Sequence, residues 1–201
     1  MGFNLKKIET GERFTLNKSL GLDEIRVELT WSSGGDLDTQ AWLLNSDGII
    51  VNESAFVFYN SENRTESFDR AKHGNKANYL RLTRPMSADG AVLGAKDELE
   101  GGIETINITL SKIDSSVEEV VISASSYNGV SFGLVQNAKI TVFDNNSNEA
   151  LCCYELNSDY QTEDACVACR FVINNNTGDW EFEAVGRGYN GGLQTLVDMY
   201  T

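Results

Sequence analysis

Alternation of polar and apolar residues with a period of two is the feature that most limits what this chain can fold into. It runs through residues 26–31, 105–110, 138–143 and 180–184. Because successive side chains of an extended strand point to opposite faces, each segment would place one face on a core and the other in water. Residues 117–124 end in a more continuous apolar run, which is typical of a central strand. The pattern predicts a chain built mainly of β-strands.

Turns rich in asparagine and glycine separate the predicted strands. Asp47-Gly48 lies between the apolar runs 41–44 and 49–51 and predicts a hairpin in which both turn residues favour positive φ. Polar turns are also expected at 144–148 and 174–179. Regularly spaced strands joined by such turns predict an all-β fold, an antiparallel β-sandwich with few short helices.

The domain organisation follows from length and from one atypical segment. The chain has 201 residues, so we expect a single β-sandwich domain over 1–201. Residues 61–102 are polar, charged and poorly periodic, and they form either a functional loop or a poorly ordered insertion. They contain the only histidine, His73, which we expect in a solvated loop. A short helix is expected over 193–200, where apolar residues recur three and four apart.

Charge limits the partners of this chain. Its 30 acidic and 16 basic residues give a formal charge of −14, which repels nucleic acid and anionic lipid. No apolar run approaches the roughly 20 residues of a membrane span, and residues 1–7 do not resemble a secretory signal. We therefore expect a cytoplasmic protein that is not transmembrane and does not bind nucleic acid. The locally basic segment 61–102 suggests contact with an acidic partner or peripheral membrane association, and a solvated loop is the simpler alternative.

The four cysteines lie within 18 residues, at Cys152, Cys153, Cys166 and Cys169. In a cytosolic chain they are not expected to form a disulfide framework. Cys166 and Cys169 have the CxxC spacing of zinc sites, but a regular strand would place them on opposite faces. Cys152 and Cys153 are adjacent and would also point apart. Ordinary burial or surface placement is therefore favoured over zinc binding or redox chemistry.

The most specific local feature is Gly34-Gly35-Asp36-Leu37-Asp38. In an extended chain Asp36 and Asp38 point to the same side, roughly 7 Å apart, and their carboxylates repel each other. A divalent cation would relieve that repulsion, and Ca²⁺ accepts six to eight oxygen ligands in tolerant geometry. A second acidic cluster at 97–104 would meet these residues if the sandwich brings its loops to one end, and Asn60 could add an oxygen. The alternative is a solvated loop with two acids.

Several motifs in order along the chain resemble the TerD family of tellurite-resistance and stress-response proteins. Asp36-Leu37-Asp38, followed by 41–44 and Asp47-Gly48, is similar to the family's DLD core. Further stretches resemble family segments, at 56–60 (FVFYN), 106–113 (INITLSKI), 132–138 (FGLVQNA), 154–156 (YEL) and 180–189 (WEFEAVGRGY). The resemblance covers nearly the whole chain.

This resemblance implies a calcium-binding β-sandwich without known enzymatic activity. Matching motifs carry the ligand positions over to Asp36, Asp38 and Asn60 and, on a less well preserved loop, to Asp97, Glu100 and Glu104. On that loop Gly102 and Ile103 stand where the family has two aspartates. Fewer charged ligands imply weaker calcium binding. One site, two sites or none remain open.

The expected function is that of a non-enzymatic, calcium-binding protein of a bacterial stress-response system, acting as a sensor or a scaffold for other proteins. One alternative is a metal-free interaction module of the same fold, which the residues at Gly102 and Ile103 favour. The other is a metal-dependent enzyme that uses Asp36 and Asp38 for acid–base chemistry. No histidine, arginine or nucleophile lies near these carboxylates in sequence, which argues against the enzyme.

Overall fold

Two antiparallel sheets form the protein in a computed structural model that describes residues 13–16 (backbone only), 23–99 and 101–201. The described strands are β1 (Arg13–Leu16), β2 (Glu24–Trp31), β3 (Leu37–Leu44), β4 (Phe56–Val57), β5 (Val92–Leu93), β6 (Gly102–Thr109), β7 (Glu119–Ser126), β8 (Lys139–Asp144), β9 (Ala150–Glu155), β10 (Ala165–Ile173) and β11 (Trp180–Tyr189). The first sheet has the order β1-β11-β10-β7-β3-β4, and the second has the order β5-β6-β2-β8-β9. The predicted all-β antiparallel sandwich is confirmed.

Short helices accompany the sheets. They are α1 (Arg70–His73), α2 (Lys76–Leu82), α3 (Leu156–Asp159) and α4 (Gly192–Tyr200), with 3₁₀ turns at Glu53–Ala55, Leu110–Lys112 and Phe132–Leu134. The helix predicted for 193–200 is therefore confirmed as α4. Within the described chain, no helix is long and apolar enough to cross a membrane.

The core lies between the sheets, where the alternation predicted it. In β2 the buried side chains are Ile25, Val27, Leu29 and Trp31, and the residues between them are only partly buried. The predicted central strand, β7, lies between β10 and β3 and is buried on both faces. Its outer face is covered because Leu196 of α4 packs with Trp42, Val121 and Val167 in a second apolar cluster. That contact fixes α4 across the outside of the first sheet.

The hairpin predicted at Asp47-Gly48 forms only in part. The turn exists, because the amide of Gly48 donates to the carbonyl of Asn45 (3.0 Å), but Gly48 is the turn residue with positive φ, at 78°. Residues 49–51 form a single bridge, between Ile50 and Leu44, and no second strand. Two hydrogen bonds flank the bridge, from the amide of Asn45 to the carbonyl of Ile49 (2.9 Å) and from the amide of Val51 to the carbonyl of Leu43 (3.1 Å). The amide of Ile50 points away from β3 and donates to the carbonyl of Tyr200 (2.9 Å). The chain after the turn therefore contacts both β3 and the end of α4.

Residues 61–102 are not the solvated loop that their composition suggested. They contain α1, α2 and β5, and Asp69 caps α1 by accepting from the amide of Ala71. The prediction for His73 is wrong, because this residue is 3% exposed and its ring packs against Phe68 and Tyr79. Aromatic packing and helix capping order the segment without the periodic apolar pattern that sequence analysis looks for.

The basic character of this segment is partly internal. The Arg84 guanidinium donates to the carbonyls of Gly94, Leu93 and Thr105 and to the side chain of Asn107. Arg64 is likewise buried among backbone carbonyls. Two of the six arginines and lysines at 64–84 are therefore structural, and the basic surface is smaller than the sequence suggested.

The cysteines confirm the expected burial, with one correction. Cys152, Cys166 and Cys169 are buried and Cys153 is partly buried, all as free thiols. Cys166 and Cys169 do not lie on opposite faces, because a bulge between Val167 and Cys169 shifts the register of β10 by one residue. Both side chains therefore reach the same core cluster, where burial raises their pKa values.

Candidate metal centre

Glu104 is the residue around which the site is built. It lies on β6, whose buried positions are Glu104, Ile106 and Ile108, and its side chain is only 2% exposed. The alternation of this strand therefore places a carboxylate at a core-facing position, at the end of the apolar row. A buried carboxylate is costly unless hydrogen bonds, a proton or a cation compensate it.

The open edge of β3 supplies two hydrogen bonds to Glu104. Strand β4 pairs with β3 only at Ala41 and Trp42, so it does not cover the edge at Thr39. There Glu104 Oε2 accepts from the Thr39 amide (2.7 Å) and from Thr39 Oγ1 (2.8 Å). A side chain of the second sheet thus binds the edge of the first sheet and ties the two together.

Asp38 and Asp97 complete a group of three carboxylates with Glu104. Asp38 lies on β3, Asp97 lies in the segment between β5 and β6, and one oxygen from each of the three carboxylates lies within 4.8 Å of the others. The expectation that the 97–104 segment meets the Asp36/Asp38 loop is met for Asp97 and Glu104. Among the described residues, this is the one group of three or more His, Cys, Asp or Glu side chains close enough to share a metal ion.

Burial and mutual repulsion outweigh the positive charges near this group. Burial raises the pKa of Asp97, although the charges of Arg81 and Arg64 act in the opposite direction. Burial, and then the charges of Asp36 and Asp97, raise the pKa of Asp38 to about 7. Burial and Asp97 raise the pKa of Asp36 to about 6. Burial also raises the pKa of Glu104 well above its usual range, although the hydrogen bonds from Thr39 act in the opposite direction. The cluster holds its protons, or would hold a cation, more readily than isolated carboxylates do.

Unpaired oxygens point to the same conclusion. The Oδ1 atom of Asp36 is buried without a hydrogen-bond partner. Asp38 is 3% exposed, and within the described part of the chain no donor reaches its carboxylate. Buried polar atoms are normally hydrogen-bonded, so these oxygens are available for a ligand. Carboxylate oxygens are the ligands that Ca²⁺ prefers.

The structure treats the other two predicted ligands differently. Asn60 lies exposed in the turn after β4, where the amide of Ser61 donates to the carbonyl of Phe58 (3.0 Å). Glu100 lies outside the described residues. The roles of Asn60 and Glu100 as ligands remain predictions.

Sequence analysis missed Tyr59. Burial, Tyr127 and the charges of Asp38, Asp97 and Asp36 raise the pKa of its hydroxyl, so the hydroxyl lies in the field of the carboxylates. The available indication was its place immediately before Asn60, in the same family-like segment. Aromatic residues in strand-like segments usually belong to the core, so this pattern does not by itself indicate a site.

The structure also shows what surrounds Gly102 and Ile103, the two positions that depart from the family pattern. Ile103 points away from the core and is 57% exposed, so an aspartate at this position would not face Asp38. A Cβ atom at Gly102 would lie 3.6 Å from Oε2 of Glu98. The side chain of Glu98 therefore lies beside Gly102, in the space next to a residue without a side chain.

Comparison with known proteins agrees with this architecture. The chain is 29% identical over 208 residues to tellurium resistance protein TerD of Serratia marcescens, covering 96% of this chain and 95% of the relative. It is 28% identical over 206 residues to general stress protein 16U of Bacillus subtilis (strain 168), covering 94% of each chain.

A solved structure shares the fold. It is described as a homologue of telluride resistance protein (TerD) from Streptomyces coelicolor A3(2), and it superposes with a TM-score of 0.66 at 20% identity, covering 88% of this chain and 95% of its own. The family defined by the TerD domain matches residues 1–200. The chain therefore belongs to the TerD family.

Proposed function

We propose that this protein is a non-enzymatic, calcium-binding member of a stress-response system, in which Ca²⁺ is held by Asp36, Asp38, Asp97 and Glu104. The observation that carries the proposal is the burial of the Asp38 and Glu104 carboxylates within 4.8 Å of each other and of Asp97. Burial and the repulsion between like charges this close oppose the ionisation of all three carboxyl groups, and a cation would remove that opposition. A divalent cation with oxygen ligands fits this role.

The position of the site supports a role as a sensor or scaffold. Asp38 belongs to the first sheet, Glu104 to the second, and Asp97 to the segment before β6. An ion bound to all three would join the sheets and the 97–104 segment, and so would fix the surface that this segment presents. The proposal is that cytoplasmic proteins of a tellurium-resistance or stress-response system bind that surface. The names of the TerD and 16U relatives support this class of function.

A metal-free interaction module is the second candidate. It is favoured because Glu104 already accepts two hydrogen bonds from Thr39, which would stabilise the site without an ion. Raised pKa values would let protons take the place of the cation at Asp36 and Asp38. The two candidates differ in whether Ca²⁺ stabilises the fold.

Thermal unfolding in EDTA, in Ca²⁺ and in Mg²⁺ decides between them. A ligand that binds only the folded state adds about 2.7 kcal/mol at a hundredfold excess over its dissociation constant. We expect a Ca²⁺-selective rise in the midpoint for the wild type and none for Asp38→Asn. Asp47→Asn is the matched control, because Asp47 is an exposed acid in a turn. No rise in the wild type would reject the calcium proposal and leave the metal-free module.

The scaffold role has its own test. Proteins captured from a cytoplasmic extract by the wild type, in Ca²⁺ and in EDTA, are compared with those captured by the Asp36→Ala/Asp38→Ala variant. The proposal expects a partner that is retained only by the wild type with Ca²⁺. Identical capture in all conditions would contradict a calcium-dependent scaffold.

A further inference from the structure

The Asp38 carboxylate also borders a second space, on the outside of the first sheet. Asp38 shares its face of β3 with Trp42, which packs under α4, so it lies on the outer face of the strand. A cavity of about 300 Å³ opens there, beside the start of α4. Its lining includes Asp38, Tyr59, Ser125, Tyr127, Asp164 and Gly192.

The cavity is negatively charged. Asp38 and Asp164 both line it, and no lysine or arginine does so among the described residues. Asp164 Oδ1 accepts from the amides of Gly191 and Gly192 (2.9 Å each), so the donors at the start of α4 are already engaged. Asp38, nine-tenths buried and without a described donor, presents an unpaired carboxylate to this space. The lining therefore favours a positively charged ligand over an anion.

Two tyrosine rings stand at this cavity. Tyr59 and Tyr127 meet edge to face, with ring centroids 5.7 Å apart and an interplanar angle of 86°. Tyr127 is 63% exposed, yet its position is fixed because its amide donates to the carbonyl of Asp36 (2.9 Å). Aromatic faces beside carboxylates are the arrangement that binds ammonium groups, through cation–π attraction and charge.

We propose that this cavity binds a primary alkylammonium group, supplied either by a free amine or by the lysine side chain of a partner protein. A volume of about 300 Å³ has room for such a group. The ammonium would lie between Asp38 and Asp164, with its alkyl chain against Tyr127. The proposal rests on the proposed function only in that Asp38 serves both sites, and Ca²⁺ at Asp38 would weaken amine binding by neutralising that carboxylate.

The test is calorimetric titration of the full chain in EDTA with butylammonium chloride, whose cation reproduces the end of a lysine side chain. 1-Butanol is the neutral control. Tyr127→Leu removes an exposed ring, and Asp164→Asn removes a charge while keeping an oxygen that can accept from Gly191 and Gly192. We expect butylammonium but not butanol to bind, and each variant to weaken the binding about two- to fivefold. Equal responses to butylammonium and butanol, or unchanged binding in both variants, would overturn the proposal.

A further variant separates this proposal from the calcium site. Asp97 belongs to the carboxylate group but does not line the cavity. Asp97→Asn should therefore lose the calcium response and keep butylammonium binding, whereas Tyr127→Leu should keep the calcium response and weaken butylammonium binding. Loss of butylammonium binding in Asp97→Asn but not in Tyr127→Leu would contradict the proposed cavity. Titration with a lysine peptide identifies the source, with its norleucine counterpart as the neutral control that should not bind. Tighter binding of the lysine peptide than of butylammonium supports a partner's lysine, and weaker binding supports a free amine.

Discussion

Glu104 and Thr39 show how single residues create the candidate site. Strand β6 places Glu104 on its core-facing side, and the uncovered edge of β3 offers the amide and hydroxyl of Thr39 to it. At the first core-facing position of β6, a carboxylate therefore stands where an apolar side chain would be expected. Asp38 has no such donors in the described structure, which explains why its need for a proton or a cation is greater.

The raised pKa values give a signed prediction for the metal-free protein. The ordinary pKa of Asp36 and Asp38 is 3.8, and burial together with neighbouring carboxylates raises these pKa values in the folded protein to about 6 and about 7. The folded state binds more protons between these values, so this contribution to stability is complete below pH 3.8 and is lost as the pH rises through 7. In EDTA, the free energy of unfolding should therefore contain a component that falls with pH across this window.

Urea denaturation at several pH values, in EDTA, measures this component. Asp38→Asn should reduce the fall, and Asp47→Asn should leave it unchanged because Asp47 is exposed. If the wild type and Asp38→Asn had the same pH dependence, Asp38 would not have a raised pKa in the folded state.

Short helices α1 and α2 illustrate how an element without a long apolar pattern is held in place. Arg64 donates to the carbonyls of Tyr59, Ser61 and Thr83, and so fastens the end of α2 to the turn after β4. Tyr59 of that turn lines the cavity beside Asp38, and its hydroxyl is close enough to the carboxylates for their charges to raise its pKa. The segment is therefore coupled to the candidate site through its backbone.

Replacing Arg64 should loosen this attachment. Arg64→Met leaves buried carbonyl groups without donors, and each such group costs about 1–3 kcal/mol, so we expect a loss of about 3 kcal/mol. Denaturant unfolding measures it, with Arg70→Met as control, since Arg70 is exposed on α1. A loss no larger than that of the control would show that Arg64 does not hold the segment.

Helix α4 is the second element that can be tested alone. Leu196 is fully buried against the outer face of the first sheet, in the cluster that contains Trp42 and Val121. Leu196→Ala should lower the free energy of unfolding by about 2–5 kcal/mol, through lost burial and the cavity that remains. Met199→Ala on the same helix is the control, because Met199 is 38% exposed and should cost far less. Similar losses in both variants would mean that α4 is not anchored by Leu196.

At the scale of the whole molecule, the two sheets share one core. Ile25 and Ile106 of the second sheet pack in one cluster with Ile122 and Phe171 of the first sheet, and the candidate ion would add a contact between the sheets. A chain with one continuous core is expected to unfold in one cooperative step.

Differential scanning calorimetry tests the single-domain prediction for residues 1–201. We expect one transition in EDTA whose calorimetric and van't Hoff enthalpies agree. In Ca²⁺ the same single transition should move to a higher temperature. A separate, earlier transition that disappears when residues 61–93 are cleaved would instead assign that segment to an independent unit.

The sequence by itself determined strands β2, β6, β7, β8 and β11, the sandwich, helix α4 and the identity of the acids, because alternation and turn chemistry act between neighbours in the chain. Only the tertiary structure decided that Asp97 and Glu104 reach Asp38, that Tyr59 lies beside them, and that His73 is buried. The Thr39–Glu104 contact joins residues 65 positions apart, and the bulge in β10 that brings Cys166 and Cys169 together depends on its pairing with β7 and β11. Such features depend on which strands become neighbours in the sheets, and a local pattern of residues does not determine that pairing.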